Sequence, residues 1–148
     1  METVKIRCKD LCVGDWVANR NGSPMQIVAV DEDNAYAYRG NEERPWIFGD
    51  YEGYEPEPIE ITNTLLGKNG WKEYGYLDSR YPMRGFCCRD EDGYRLVWKL
   101  GTLSVSYNYQ KYNDEPYFEG GIPAKYVHEL LQALRLLRFN DMADNFKI

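Results

Sequence analysis

The spacing of apolar residues near the carboxyl end predicts one long amphipathic helix, over residues 124–139. Its apolar side chains recur at intervals of three and four, which gathers them on one face of an α-helix. They are Val127, Leu130, Leu131, Leu134 and Leu137. Pro123 stands just before the segment, where a proline in the first turn costs no hydrogen bond. Because so short a helix is marginal alone in water, we expect another part of the chain to cover its leucine face.

Upstream of this helix, the first half of the chain predicts short β-strands separated by polar turns. MQIVAV at 25–30, the alternating Ala35–Tyr38 and the apolar residues 46–48 follow one another as in a meander. So many short strands in so little chain favour a strongly bent barrel of SH3-like size. We therefore predict an SH3-like β subdomain over residues 1–58, which ends in the acidic crossing segment GDYEGYEPEP at 49–58.

The second half predicts an antiparallel sheet. Residues 86–100 have the pattern of a hairpin, with a polar, glycine-containing turn between two β-rich runs. Leu103–Tyr109 alternate apolar and polar side chains with a period of two, which is typical of a strand with one face in water.

These elements together predict an α+β fold of two parts. Thr62 is placed to cap a short helix near residues 62–69. We predict that residues 59–148 form the antiparallel sheet, packed by the long helix at 124–139. The first part is the SH3-like subdomain, so the chain's apolar faces are expected to be buried between sheets and helices.

Composition and charge disfavour some classes of function. Acidic side chains outnumber basic ones by 24 to 18, the formal net charge is −6 and the basic residues are scattered. DNA or RNA binding is therefore disfavoured, because that affinity comes mainly from Lys and Arg that neutralise phosphates. The first ten residues lack the apolar core of a signal peptide, and no run approaches the roughly eighteen apolar residues of a membrane span. We expect a cytoplasmic protein with no membrane segment.

The chain contains four cysteines, which are Cys8, Cys12, Cys87 and Cys88. Two interpretations of them are open. Without a secretory signal they are interpreted as reduced thiols, some of them buried as small apolar groups. The alternative is a zinc site that joins the two pairs. Adjacent cysteines on a strand point to opposite faces, so Cys87 and Cys88 cannot easily bind one ion. We predict no metal and no cofactor.

Tyrosines and arginines are interleaved in the second half, and this mixture is the main candidate site. Such side chains can stack on and hydrogen-bond to a base, a peptide or a partner surface. They can equally form the water-facing side of an antiparallel sheet. The candidate residues from this segment are Tyr76, Arg80, Tyr81, Arg84, Tyr107 and Tyr109.

His128, the only histidine, is a second candidate. Its imidazole titrates near neutral pH, so it could serve as a general base or as one metal ligand. The alternative is a histidine on the flank of the helix, bonded to a neighbouring strand. Acidic runs at 31–33 and 90–92 fall in predicted turns and are interpreted as solvated, because a calcium-loop pattern is absent.

LCVGDWV at 11–17, MQIVAV at 25–30, PIEIT at 58–62 after the acidic stretch, and KYVHELLQALRLL at 125–137 form a combination. It resembles a family of small uncharacterised proteins that are encoded in Bacteroidetes genomes, often in phage or mobile-element contexts. The matching residues are Leu11, Gly14, Asp15, Trp16 and Val17 at the front, and Lys125, Tyr126, Val127, His128 and Leu130 at the back. The resemblance covers most of the chain. It implies an intracellular bacterial or phage origin and carries no catalytic residue with it.

No phosphate-binding loop, dinucleotide-binding turn or serine nucleophile elbow occurs in the sequence, so we do not expect an enzyme. We predict a non-enzymatic binding or adaptor protein that uses an aromatic-rich sheet surface to hold a protein partner or a second copy of itself. The alternative is a small-ligand protein, such as a phage counter-defence protein that sequesters a signalling nucleotide.

Overall fold

The computed structural model describes residues 5–38, 45–74, 86–91, 93–107 and 121–148. They form two antiparallel sheets and several helices, which confirms the α+β class. They divide into two compact units. The first unit comprises the described residues up to Glu60 together with Tyr126–Phe146, and the second comprises those of Ile61–Lys125.

The first sheet is a four-stranded antiparallel meander of order β1-β2-β3-β4. The strands are β1 Trp16–Ala18, β2 Pro24–Val30, β3 Asn34–Tyr38 and β4 Trp46–Gly49. β2, β3 and β4 overlap the strands that the sequence predicts at 25–30, 35–38 and 46–48. The register shifts between Ile27 and Ala29, and a bulge of this kind bends a strand and increases its twist. The further likeness to an SH3 barrel stays a prediction.

One face of this sheet forms the core of the first unit. Its buried side chains are Val17, Met25, Ile27, Ala35, Ala37 and Phe48. They are covered by Ile6, Cys8 and Leu11 from the preceding segment, which contains a single 3-10 turn at Cys8–Asp10. Burial raises the pKa of the Cys8 thiol to about 11, and the nearby Asp50 carboxylate adds to the effect. Cys8 is therefore a protonated, apolar core residue.

The second unit contains a five-stranded antiparallel sheet of order β5-β6-β7-β8-β9. Its strands are β5 Lys72–Tyr74, β6 Phe86–Glu91, β7 Tyr94–Lys99, β8 Thr102–Tyr107 and β9 Ile122–Pro123. Trp98 of β7 is buried, and its indole Nε1 donates to the carbonyl oxygen of Ala124 at 2.7 Å. Sequence patterning did not indicate β9, which is too short to show a period.

Helix α1 spans Asn63–Lys68 in the second unit, within the segment where the sequence predicts a short helix. The Thr62 side chain accepts a hydrogen bond from the backbone N–H of Leu65 at 3.1 Å and so caps the first turn. Leu65 and Leu66 are buried. Arg89 of β6 donates to the carbonyl oxygen of Asn69 at 2.6 Å, which satisfies a backbone acceptor at the other end of the helix.

Helix α2 spans Val127–Leu136 and is shorter than the predicted 124–139. Pro123 lies in β9 and not in a first helical turn, because the chain stays extended until Tyr126, whose backbone N–H donates to the Glu129 carboxylate at 3.1 Å. The helix ends where Arg138 adopts a φ of 68°. This left-handed residue ends the helix early, and such a residue is a common helix terminator.

The last residues form a further helix, α3, over Asn140–Asp144. The polar composition of residues 140–148 favours a frayed end or a further strand, and the structure shows a helix instead. Met142, Ala143 and Phe146 are buried, so a few apolar residues at helical spacing are enough to hold the tail against its own unit.

The position of α2 differs from the expectation that it packs the second sheet, since Tyr126–Phe146 belongs to the first unit. Leu130, Leu131 and Leu134 are buried there, as their spacing predicts. The periodicity identifies which face of a helix is covered, but it contains no information about which element covers it. Polar side chains on the helix and on the first sheet determine that choice.

Candidate functional site

Most of the predicted site residues cannot be placed. Tyr76, Arg80, Tyr81, Arg84 and Tyr109 lie outside the described residues. Tyr107 is the last residue of β8, and its backbone pairs with Tyr94 of β7. His128 lies on α2. The tyrosine–arginine surface of the second half therefore stays a prediction.

Two neighbouring arginines of the second sheet have partners within their own hairpin. The Arg95 guanidinium is bonded to the Asp90 carboxylate through Nε at 2.9 Å and Nη2 at 3.3 Å. Arg89 contacts the Glu91 carboxylate at 3.3 Å. Fork-like pairing of this kind orients both groups. The Arg95–Asp90 pair joins β7 to β6, whereas the Arg89–Glu91 contact lies within β6.

A cluster of polar side chains fixes α2 to the first sheet, and Asp15 is its centre. The Asp15 side chain is completely buried. One carboxylate oxygen accepts from Arg135 at 2.8 Å, and the other accepts from Gln132 at 2.7 Å and from the backbone N–H of Cys12 at 2.8 Å. We call Cys12, Asp15, Gln132 and Arg135 the Asp15 cluster. It explains why the helix belongs to the first unit.

Gly14 gives the Arg135 side chain room to reach this cluster. The residue has a φ of 95°, a conformation that L side chains rarely adopt. A Cβ atom added there would lie 2.5 Å from Nη2 of Arg135. Gly14 and Asp15 therefore have a structural function, because together they hold α2 in its position.

His128 is buried on the same helix, and its ring lies parallel to that of Tyr126, with 6.2 Å between centroids. Burial lowers the pKa of the imidazole, and the carboxylates of Glu129, Asp15 and Asp10 oppose this shift more weakly. Nδ1 has no hydrogen-bond partner among the residues that the structure describes. A neutral, stacked ring of this kind is well suited to packing.

We predict that His128 makes the first unit less stable in mild acid. In the unfolded chain the imidazole takes up a proton as the pH falls through its ordinary pKa of 6.5, whereas the folded chain resists protonation until a lower pH. The contribution to stability is therefore complete above pH 6.5 and is lost as the pH falls toward the depressed pKa of the folded state. Urea unfolding at a series of pH values from about 8 to about 5 measures it.

His128→Gln is the matched variant, because it removes the chain's only histidine and leaves the carboxylates of Asp10, Asp15 and Glu129 in place. The free energy of unfolding of the variant is expected to change less over this pH range. If the free energies of unfolding of the parent protein and the variant fall equally with pH, protonation of His128 is not linked to folding.

The second face of the first sheet is exposed, and β3 shows how the two faces differ. Ala35 and Ala37 are buried, whereas Tyr36 and Tyr38 between and beyond them point away from the core. The strand register brings residues of β2 and β4 onto the same side as these tyrosines. We call this surface the outer face, and it consists of Gln26, Ala29, Tyr36, Tyr38, Ile47 and Tyr51.

Tyr51 extends the outer face past the end of β4. Its ring lies directly over Gly49, where any Cβ atom would collide with it. Its hydroxyl donates to the side-chain oxygen of Asn34 at 3.1 Å, and Asn34 is the cross-strand partner of Gly49. The absence of a side chain at position 49 therefore allows the aromatic ring to approach the backbone of the sheet this closely.

Large side chains of the outer face are unusually accessible. Tyr51 is 59% exposed, Ile47 is 50% exposed and Tyr38 is 39% exposed. Scattered exposed apolar residues are normal, but neighbours on one sheet face form a patch, and such patches mark interaction surfaces. Tyrosine is also enriched in the centres of protein interfaces, since its ring packs while its hydroxyl hydrogen-bonds.

Beyond Tyr51 the surface continues into an acidic cavity. The rings of Tyr51 and Tyr54 meet edge to face, with 6.2 Å between centroids, and the Arg20 guanidinium lies 5.7 Å from the centre of the Tyr54 ring. A cavity of about 460 Å³ follows. Its charged lining consists of Lys5, Arg20, Glu52, Glu55 and Glu57.

The charges of the described cavities do not favour a phosphate ligand. The first cavity has three carboxylates against two cations. A second cavity, of about 390 Å³ in the second unit, includes Arg89 and Arg95 together with Asp90 and Glu91, to which these arginines are bonded. A nucleotide needs cations or backbone donors that are available to its phosphates. The small-ligand alternative thus gains no support from either lining.

In the described part of the chain, no group of three or more His, Cys, Asp or Glu side chains is arranged to hold a metal ion. None of the described helices is long and apolar enough to cross a bilayer. Comparisons with protein-family models, with curated proteins and with solved structures found no match. The resemblance to small Bacteroidetes proteins therefore stays a prediction.

The outer face was not predicted from the sequence, although a signal for it was present. NAYAY at 34–38 alternates small and large residues with the period of a strand. Tyrosine is ordinarily placed inward or at a half-buried position, so the large residues would be assigned to the core. The reverse holds here, because alanines fill the narrow interior between the bent sheet and residues 5–11.

Proposed function

We propose that the chain is a non-enzymatic protein-binding module of the cytoplasm, and that the outer face holds its partner, either another protein or a second copy of the chain. The observation that supports this best is the set of large, accessible side chains on one sheet face, above all Tyr38, Ile47 and Tyr51. Aromatic and aliphatic anchors of this type contribute most of the binding energy in protein interfaces.

The rigidity of this surface supports the same function. Tyr36 donates its hydroxyl to the Asp31 carboxylate at 2.7 Å, and Tyr51 donates to Asn34. Side chains held in this way lose little conformational entropy when a partner binds. The interface residues are therefore organised in advance, while their aromatic faces stay accessible.

Site-specific photo-cross-linking tests this function. A benzophenone amino acid is placed at Ile47 on the outer face, and in a matched variant at Leu136, which is 75% exposed on α2. In cells that encode the protein, we expect position 47 to give a discrete cross-linked product and position 136 to give none. A product that contains only this chain identifies self-association, which light scattering of the purified protein then verifies.

The proposal also predicts that, with the benzophenone amino acid placed at Tyr38 instead, an apolar-to-polar change at position 47 weakens the cross-linked product. Ile47→Thr keeps a β-branched side chain that suits a strand, so it removes apolar contact area with little effect on folding. Equal cross-linking from positions 47 and 136, or no product from position 47 together with a monomeric protein, would overturn the proposed function.

A further inference from the structure

We infer that the segment held by the outer face is basic, with apolar residues against Tyr38 and Ile47 and with Lys or Arg at the end of the face near Tyr36 and Tyr51. This inference rests on the proposed function and specifies the chemistry of the partner. It follows from the distribution of charge around an otherwise apolar and aromatic surface.

Carboxylates border one end of the outer face, at the turn between β2 and β3. The Asp31 carboxylate accepts from the backbone N–H groups of Asp33 and Asn34 and from the Tyr36 hydroxyl, at distances between 2.7 and 2.9 Å. These bonds, led by that of Tyr36, lower the pKa of Asp31, so its charge persists in mild acid. Glu32 and Asp33 add two exposed carboxylates to the same turn.

The crossing segment supplies more negative charge at the same end. Tyr51 reaches this end through its bond to Asn34, and the carboxylate of Glu52 follows it in the chain. Glu52 also lines the cavity beyond Tyr54, where carboxylates exceed cations. A partner that covers the tyrosines would bring its own groups within reach of these charges, and like charges there would be repelled.

Tyr54, whose ring contacts that of Tyr51, already holds a cation within the chain. Arg20 lies over the ring of Tyr54, and that ring meets the ring of Tyr51. A guanidinium is attracted to the face of an aromatic ring, and nearby carboxylates strengthen the attraction. The outer face thus presents apolar, aromatic and acidic groups in succession, which is complementary to a segment that carries both apolar and basic residues.

A second copy of this chain fits the surface less well than a basic segment does. The chain has a formal net charge of −6, so each copy would bring further negative charge toward the acidic end. Association of a basic segment would instead be accelerated by attraction, and this acceleration would weaken as salt is added.

Selection from a phage library of random linear peptides tests the inference on the 148-residue chain. We expect the selected peptides to combine apolar residues with an excess of Lys and Arg, and to lose binding to Ile47→Thr. A synthetic peptide of the consensus sequence is then titrated against a charge variant, Glu32→Gln with Asp33→Asn. Removal of two exposed charges is expected to weaken binding about three- to tenfold at low salt, and less at high salt.

The matched control is Asp141→Asn with Asp144→Asn, which removes the same charge from α3 and is expected to leave affinity within about twofold. Peptides that depend on Ile47 but show no excess of basic residues would overturn this inference and leave the proposed function standing. Loss of affinity that is equal in the charge variant and the control would also overturn it. If no selected peptide depends on Ile47, both the inference and the proposed function fall.

Discussion

Replacing Asp15 with alanine is expected to lower the free energy of unfolding by about 3–5 kcal/mol, because it removes one partner of a buried ion pair. The change leaves the Arg135 guanidinium without its carboxylate, and it takes acceptors from Gln132 and from the backbone of Cys12. Urea unfolding, followed by circular dichroism, gives the difference.

Asp10→Ala is the control for this experiment. Asp10 is exposed, and its carboxylate pairs with Arg7 three residues away on the surface at 3.3 Å. Exposed pairs of this kind contribute at most about 1 kcal/mol. If the two substitutions destabilise the protein equally, the Asp15 cluster does not hold α2 in its position.

The second large effect is expected from the leucine face of α2. Leu131→Ala removes a fully buried side chain and should cost about 2–5 kcal/mol, the range for such cavities. Leu136→Ala is made in the same helix with the same change of side chain, but Leu136 is 75% exposed and the loss should stay within about 0.5 kcal/mol. The same urea series measures both.

This pair of variants also tests which face of the helix is buried. A small loss at Leu131, or a comparable loss at Leu136, would contradict the described packing. Because both variants replace leucine with alanine in one helix, the difference between them comes mainly from packing.

The strands and the short helix could be predicted from local patterns, since alternation, turn residues and caps act over a few neighbouring positions. Thr62 is an example, because a cap needs only the backbone N–H of a residue in the first turn. The sequence predicts a longer α2 than the structure shows, because a local pattern contains no information about distant strand partners. Residues near Pro123 have helical neighbours in sequence, yet a strand partner elsewhere in the chain keeps them extended.

The partner of α2 and the exposed aromatic surface could not be predicted from such patterns. A buried carboxylate is not recognisable in a sequence, because Asp15 and Asp10 look alike until the fold places Arg135 next to one of them. Likewise, a period of two in β3 shows that the strand has two faces, but not which of them is covered. Both questions depend on residues far away in the chain.

The first unit is built from two separate segments of the chain, and this affects the order in which the two units can fold during synthesis. Residues 126–146 are translated more than seventy positions after β4, yet they belong to the same compact unit as its sheet. During synthesis the second unit has all its described strands as soon as residue 125 emerges, while the first waits for the helix that follows. The segment that follows the second unit therefore completes the first unit, and until it is made the Asp15 carboxylate lacks its partners Gln132 and Arg135.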